Sequence, residues 1–166
     1  MRSRTLLSRS ACRLRRHTAV DLVLSVGMAE TEDGLIIGLD GLTTRQTQHS
    51  FILDGVRLWT WWAYDIVGIA AALETDAVGS THCGFCGKSI DVRFQRGEPE
   101  TTSAVGWLPD GCCVNVMEEF CPVALLFCSL EHLNRWRERD QPRSGNELDV
   151  PGLAETGRRV WSQLVD

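Results

Sequence analysis

Six of the seven cysteines in this sequence, Cys83, Cys86, Cys112, Cys113, Cys121 and Cys128, fall between positions 83 and 132, and only Cys12 lies outside. A thiol is a soft ligand and, as thiolate, a strong nucleophile, so the concentration predicts soft-metal or thiol chemistry. Cys83-Gly-Phe-Cys86-Gly-Lys reads as a knuckle. Two thiolates separated by two residues can chelate one ion, and Gly87 permits the tight backbone that follows. Cys128-Ser-Leu-Glu-His132, at the start of a predicted helix, offers a second half, because a spacing of four puts thiolate and imidazole on one face. Together they would form a Cys3His site for zinc or a soft ion. The alternative is a Cys128 that packs as a small hydrophobe and an exposed His132. Cys112 and Cys113 are adjacent in a predicted strand and face opposite ways, so they cannot both serve one site unless the strand breaks there.

A second chemical candidate is Asp65, where a strand pattern gives way to a helical one. One reading is an N-terminal carboxylate complementing the helix dipole; the other is a catalytic acid.

The elements that position these residues follow from periodicity. Ala19–Met28 has helical spacing, closed by the charge and glycine of Glu30–Gly34. Leu35–Leu39 is apolar and β-branched. Ser50–Leu53 and Val56–Trp61 flank Asp54-Gly55, a strong hairpin signal because both turn positions need positive φ. From Ala63 to Leu73 the period changes, and Ile66, Ile69, Ala70 and Leu73 mark a buried helix carrying Asp65 in its first turn. After a Gly- and Ser-containing turn, Ser89–Phe94 and Cys113–Met117 alternate as half-buried strands around a polar loop at Gly97–Ser103. Cys121–Cys128 is apolar apart from Pro122. Ser129 then caps a helix to about Arg139, with Leu130, Leu133 and Trp136 on one face. A polar linker, Asp140–Asp149, and Pro151 precede a terminal amphipathic helix with Leu153, Val160, Trp161 and Leu164. The order predicts an α+β domain, a mixed or antiparallel sheet flanked by helices.

Composition bounds the function. At 166 residues the chain is about one domain, and no apolar run reaches the roughly 18 to 20 residues that cross a bilayer, so no membrane span is expected. Six of the 17 basic residues, and no acid, lie in residues 1–16, leaving eleven basic against 22 acidic residues in the rest. An acidic body argues against nucleic acid as a partner. Residues 1–18 read as an arginine-rich arm, a disordered extension or a transit-like segment, followed by one domain over 19–166. Lys88 is the only lysine, which hints at a GC-rich bacterial source. An odd cysteine count without an export signal favours free or metal-holding thiols in a reducing compartment, hence a cytoplasmic protein.

From about Ala19 onward the sequence resembles the organomercurial (alkylmercury) lyases. Carrying the resemblance are Gly41-Leu-Thr43, Leu53-Asp54-Gly55 followed by Leu58 and Trp59, Trp61-Trp62-Ala63-Tyr64-Asp65 before an apolar helix, His82-Cys83, Phe120-Cys121 and the C-terminal helices. Most of that family's winged-helix-like N-terminal module has no counterpart, and Ala19–Met28 reads as its last helix. The resemblance implies carbon–mercury protonolysis, in which thiolates coordinate mercury and a carboxyl group relays a proton to the departing carbon. It assigns the carboxyl to Asp65, a mercury-binding thiol to Cys121 and a structural role to Cys83. The ligand would be an organomercurial or another soft-metal species, mercury(II) the product ion, and no cofactor is required. Where the family has its nucleophilic cysteine, three residues before the aspartate, this sequence has Trp62, whose indole offers no thiolate. Either Cys86, Cys112, Cys113 or Cys128 stands in, or the fold serves another use, such as holding a metal without turnover.

Overall fold

The computed structural model of the protein describes residues 28–110, 123–142 and 144–162. Asp54 and Gly55 turn with φ of 47° and 78°, the pair of positive values that a two-residue hairpin needs. They join β4 (Ser50–Leu53) to β5 (Val56–Thr60), with Leu53 opposite Val56. The same positive-φ pairing recurs at Asp33-Gly34, Asp40-Gly41 and Arg96-Gly97. These turns link β1 (Ala29–Glu32) to β2 (Leu35–Leu39), β2 to β3 (Leu42–Thr43), and β7 (Ser89–Gln95) to β8 (Glu98–Pro99). With β6 (Ala77–His82) they build an eight-stranded sheet in the order β1-β2-β3-β5-β4-β6-β7-β8, antiparallel at every pairing. A second sheet, β10 (Leu125–Phe127), β9 (Val105–Pro109) and β11 (Gly145–Asp149), is ordered β10-β9-β11 and is also antiparallel.

The helix α1 (Ala63–Ala72) is buried along its whole length. On one side Ile66 lies on β6 at Gly79, where a Cβ would come within 2.0 Å of Ile66 Cγ2. On the other it meets α3 (Val150–Val160), backbone to backbone: a Cβ on Gly157 would stand 2.2 Å from Gly68 Cα. Phe51, Ile66, Val67 and Ile69 are wholly buried, each contributing roughly 1.5–3 kcal/mol. The remaining helix, α2 (Leu130–Asp140), buries Leu133 and Trp136. The Trp136 ring packs against Phe127 at 5.0 Å and Trp107 at 6.0 Å.

The expected α+β class and large antiparallel sheet are therefore present, and several local expectations are corrected, among them the polar loop expected at Gly97–Ser103, whose start is the β7–β8 turn and β8 itself. Glu30–Gly34 is not a helix terminator but most of β1 and its turn, and all of the expected Ala19–Met28 helix except Met28 lies outside the described residues. The turn expected before Ser89 is largely β6, whose buried Ala77, Gly79 and Thr81 are small because α1 presses on them. The polar linker Asp140–Asp149 contains β11, an exposed edge strand whose pairing with β9 outweighs its poor strand composition. Leu130 and Val160 face solvent rather than the core. The Cys113–Met117 strand, Leu164 and the boundary at residues 18/19 lie outside the described residues. Among those described, no helix is long and apolar enough to cross a membrane.

Candidate functional site

The β6–β7 hairpin ends in the predicted knuckle. Cys83 N–H donates to Lys88 O at 2.8 Å and Gly87 N–H to Cys83 O at 2.9 Å, with Gly87 at φ 71°. Gly84 N–H donates to Leu126 O at 2.9 Å, which lays the knuckle on β10. The chain then leaves β10 through Cys128 and enters α2 at Ser129, whose side chain accepts the His132 N–H at 3.2 Å. Cys128 thus precedes the helix instead of sharing its face. The extended Ser129 backbone, φ −160° and ψ 160°, still brings its sulfur to 2.9 Å from His132 Nδ1.

One group results. Donor atoms of Cys83, Cys86, Cys128 and His132 all lie within 4.8 Å of one another. Cys83 Sγ is 3.8 Å from His132 Nδ1, and Cys86 Sγ is 3.8 Å from Cys128 Sγ. A disulfide would need about 2.05 Å, so the three thiols are free. Cys83 is buried, Cys128 and His132 half-buried, and Cys86 exposed. Burial pushes the Cys83 thiol up, but the backbone N–H groups of Cys86, Cys128 and Phe85 and the His132 ring outweigh it and bring it down to about 6. Cys128 is pushed up to about 11 by burial and by the neighbouring Cys86 and Cys83 sulfurs. Phe85 covers the imidazole with its ring 5.2 Å away. The alternative of a merely packed Cys128 beside an exposed His132 does not fit this convergence.

Asp65 is outside that group, in the first turn of α1. Its carboxyl is buried and its Oδ2 accepts the Trp62 N–H at 3.0 Å. Burial raises the acid well above the ordinary carboxylate range, and the Trp62 hydrogen bond offsets only part of the effect. Trp62 is half-buried, with its backbone carbonyl bonded by Thr60 Oγ1 at 2.9 Å. Its indole nitrogen is buried without a hydrogen-bond partner among the described residues. Beside it burial pushes the Tyr64 hydroxyl further up, above the ordinary tyrosine range.

Sequence reasoning named Gly41 only within the family resemblance and missed that it makes room for Asp65. Gly41 has φ 102°, and a Cβ there would sit 3.0 Å from both Asp65 Cγ and Oδ2. Its carbonyl accepts the Trp61 N–H at 2.8 Å, pinning the β2–β3 turn over the start of α1. The Asp40-Gly41 dipeptide was the available signal. Also missed was buried His49, whose Nδ1 lies 2.7 Å from Thr81 Oγ1. Cys121, Cys112 and Cys113 fall outside the described residues.

Comparison with known proteins supplies the context. The alkylmercury lyase (MerB) family model matches residues 42–162, a stretch that includes Asp65 and the whole Cys/His group. The alkylmercury lyase of Pseudomonas putida is 33% identical over 115 residues, covering 66% of this chain and 53% of that protein. That of Bacillus cereus is 29% identical over 137 residues, covering 80% and 61%. The chain thus spans little more than half the length of these curated relatives. The crystal structure of the mercury-bound form of MerB2 shares the fold, with a TM-score of 0.71 at 23% identity over 81% of this chain and 66% of that one. With most of its length matched by one family model, from β3 to the end of α3, the chain belongs to the alkylmercury lyase family.

Proposed function

We propose that the protein cleaves the carbon–mercury bond of an organomercurial, with Asp65 as proton donor and Cys121 as the thiolate that receives mercury. The observation that carries this reading is the buried Asp65 carboxyl at the start of α1, whose burial favours the protonated form over the charged one. Protonolysis needs an acid that holds its proton more tightly than a solvated aspartate and is kept from water until the substrate arrives. The Cys121 thiolate adds to R–Hg⁺ to give a neutral R–Hg–S adduct. The Asp65 proton then forms the new C–H bond as the C–Hg bond breaks, leaving R–H, thiolate-bound mercury(II) and the Asp65 carboxylate. Atoms and charge balance, and the step needs no cofactor.

Trp62 occupies the position where the family resemblance expects a nucleophilic cysteine. In this reading the second thiol for mercury(II) comes from elsewhere in the chain or from a small-molecule thiol, and turnover is slow. A reducing cytoplasm suits the free thiols.

The test is a single-turnover incubation of the reduced protein with an arylmercurial, following hydrocarbon release and retained mercury(II) together. Release that is lost in both Cys121→Ser and Asp65→Asn is the expected result. Mercury retained by the wild-type protein with no hydrocarbon released would overturn it.

A further inference from the structure

We propose that Cys83, Cys86, Cys128 and His132 hold one structural zinc ion that staples the large sheet to the small one. The first argument is metric. Zinc–ligand distances of about 2.3 Å to sulfur and about 2.05 Å to nitrogen put tetrahedral donors about 3.8 Å apart for a sulfur pair and about 3.6 Å for sulfur and nitrogen. The Cys86–Cys128 sulfur separation is 3.8 Å and Cys83 Sγ to His132 Nδ1 is 3.8 Å. A third pair, Cys128 Sγ to His132 Nδ1, is 2.9 Å and has to open by about 0.7 Å, and the other donor pairs, all within 4.8 Å, have to close by no more than about 1 Å.

The second argument is architectural. The donors come from two separate devices, a knuckle closed by Gly87 N–H on Cys83 O and a helix entry closed by Ser129 on His132 N–H. Neither requires the other, yet their four donor atoms converge within 4.8 Å. Gly84 is the point of contact, since a Cβ there would meet Leu125 Cδ1 at 2.9 Å and Phe127 Cε1 at 3.0 Å. An ion at this place cross-links β6–β7 of one sheet to β10 of the other and to α2.

The donor set decides the metal. Three thiolates and one imidazole around a tetrahedral centre suit zinc, and with all four positions filled by protein no site is left for substrate. Asp65 lies outside the staple, and the test of the staple uses no organomercurial.

The full chain, purified under reducing conditions and dialysed against metal-free buffer, is expected to retain about one zinc per chain by elemental analysis. A zinc chelator should lower its thermal midpoint, and added zinc should restore it. Cobalt(II) in place of zinc should show tetrahedral d–d bands with charge-transfer intensity from three thiolates. Cys86 is exposed, so Cys86→Ser should fold and bind zinc at least about tenfold more weakly; His132→Ala should do likewise. A reduced protein that carries no zinc and gives no tetrahedral cobalt spectrum would overturn the proposal. So would zinc affinity left unchanged in both variants, which would put the ion on other cysteines.

Discussion

The backbone N–H of Trp62 donates to Asp65 Oδ2 across 3.0 Å, so the residue standing at the position of the expected nucleophile is also what orients the acid. The bond comes from the main chain and survives any substitution at position 62 other than proline. The position can therefore be changed without dismantling the carboxyl.

Replacing Asp65 separates chemistry from folding. Asp65→Asn should lower hydrocarbon release by at least about a hundredfold, the usual scale of a lost general acid, while mercury binding persists. Stability carries the same signature. A carboxyl raised by burial binds its proton more tightly in the native state. Its stabilising effect is complete below the unfolded value of about 3.9 and is lost as pH rises through the folded one. Urea unfolding across this range should show a downward slope with pH in the wild type that Asp65→Asn removes; parallel profiles would contradict the buried-acid account.

Trp62→Cys restores a thiol beside the acid. Release of hydrocarbon should rise at least tenfold over wild type, with some loss of thermal stability from the missing indole. A folded, mercury-loaded variant with no gain would show that the tryptophan is not what limits the reaction.

Gly68 and Gly157 let α1 and α3 touch through their backbones. Gly157→Ala must push the helices apart and should cost about 1–3 kcal/mol in denaturant unfolding. Glu155→Ala, on the exposed side of the same helix, should change stability by less than about 0.5 kcal/mol. Equal effects from the two would refute the close crossing.

His49 gives the opposite pH slope to Asp65. Burial first, and then the charge of His82, lower its pKa from 6.5 to about 4. The unfolded chain therefore binds the extra proton between those values, and stability is lost as pH falls from about 6.5 to about 4. The effect is on the order of 3 kcal/mol. His49→Gln should flatten this limb of the profile while leaving the Asp65 slope in place; an unchanged acid limb would assign it to other groups.

Much of the site could be read locally. The Cys83–Cys86 knuckle, the Ser129 cap, the Asp54-Gly55 hairpin and the helix bearing Asp65 depend on φ preferences and hydrogen bonds between residues a few positions apart, and such signals survive in a single sequence. The elements that escaped notice depend on partners distant in the chain. Ala77–His82 is a strand because α1 covers its small residues, Val105–Pro109 because it has a neighbour on each side, and Gly145–Asp149 because β9 offers its edge.

The sequence by itself therefore determined the donor types, their spacing within each half-site, and an acid at the start of a buried helix. Only the tertiary structure decided that Cys83 and Cys86 meet Cys128 and His132, and that Gly41 leaves the space in which Asp65 loses its water. The physical reason is that local spacing sets the direction of a side chain, whereas convergence and desolvation depend on packing between segments that the chain order keeps apart.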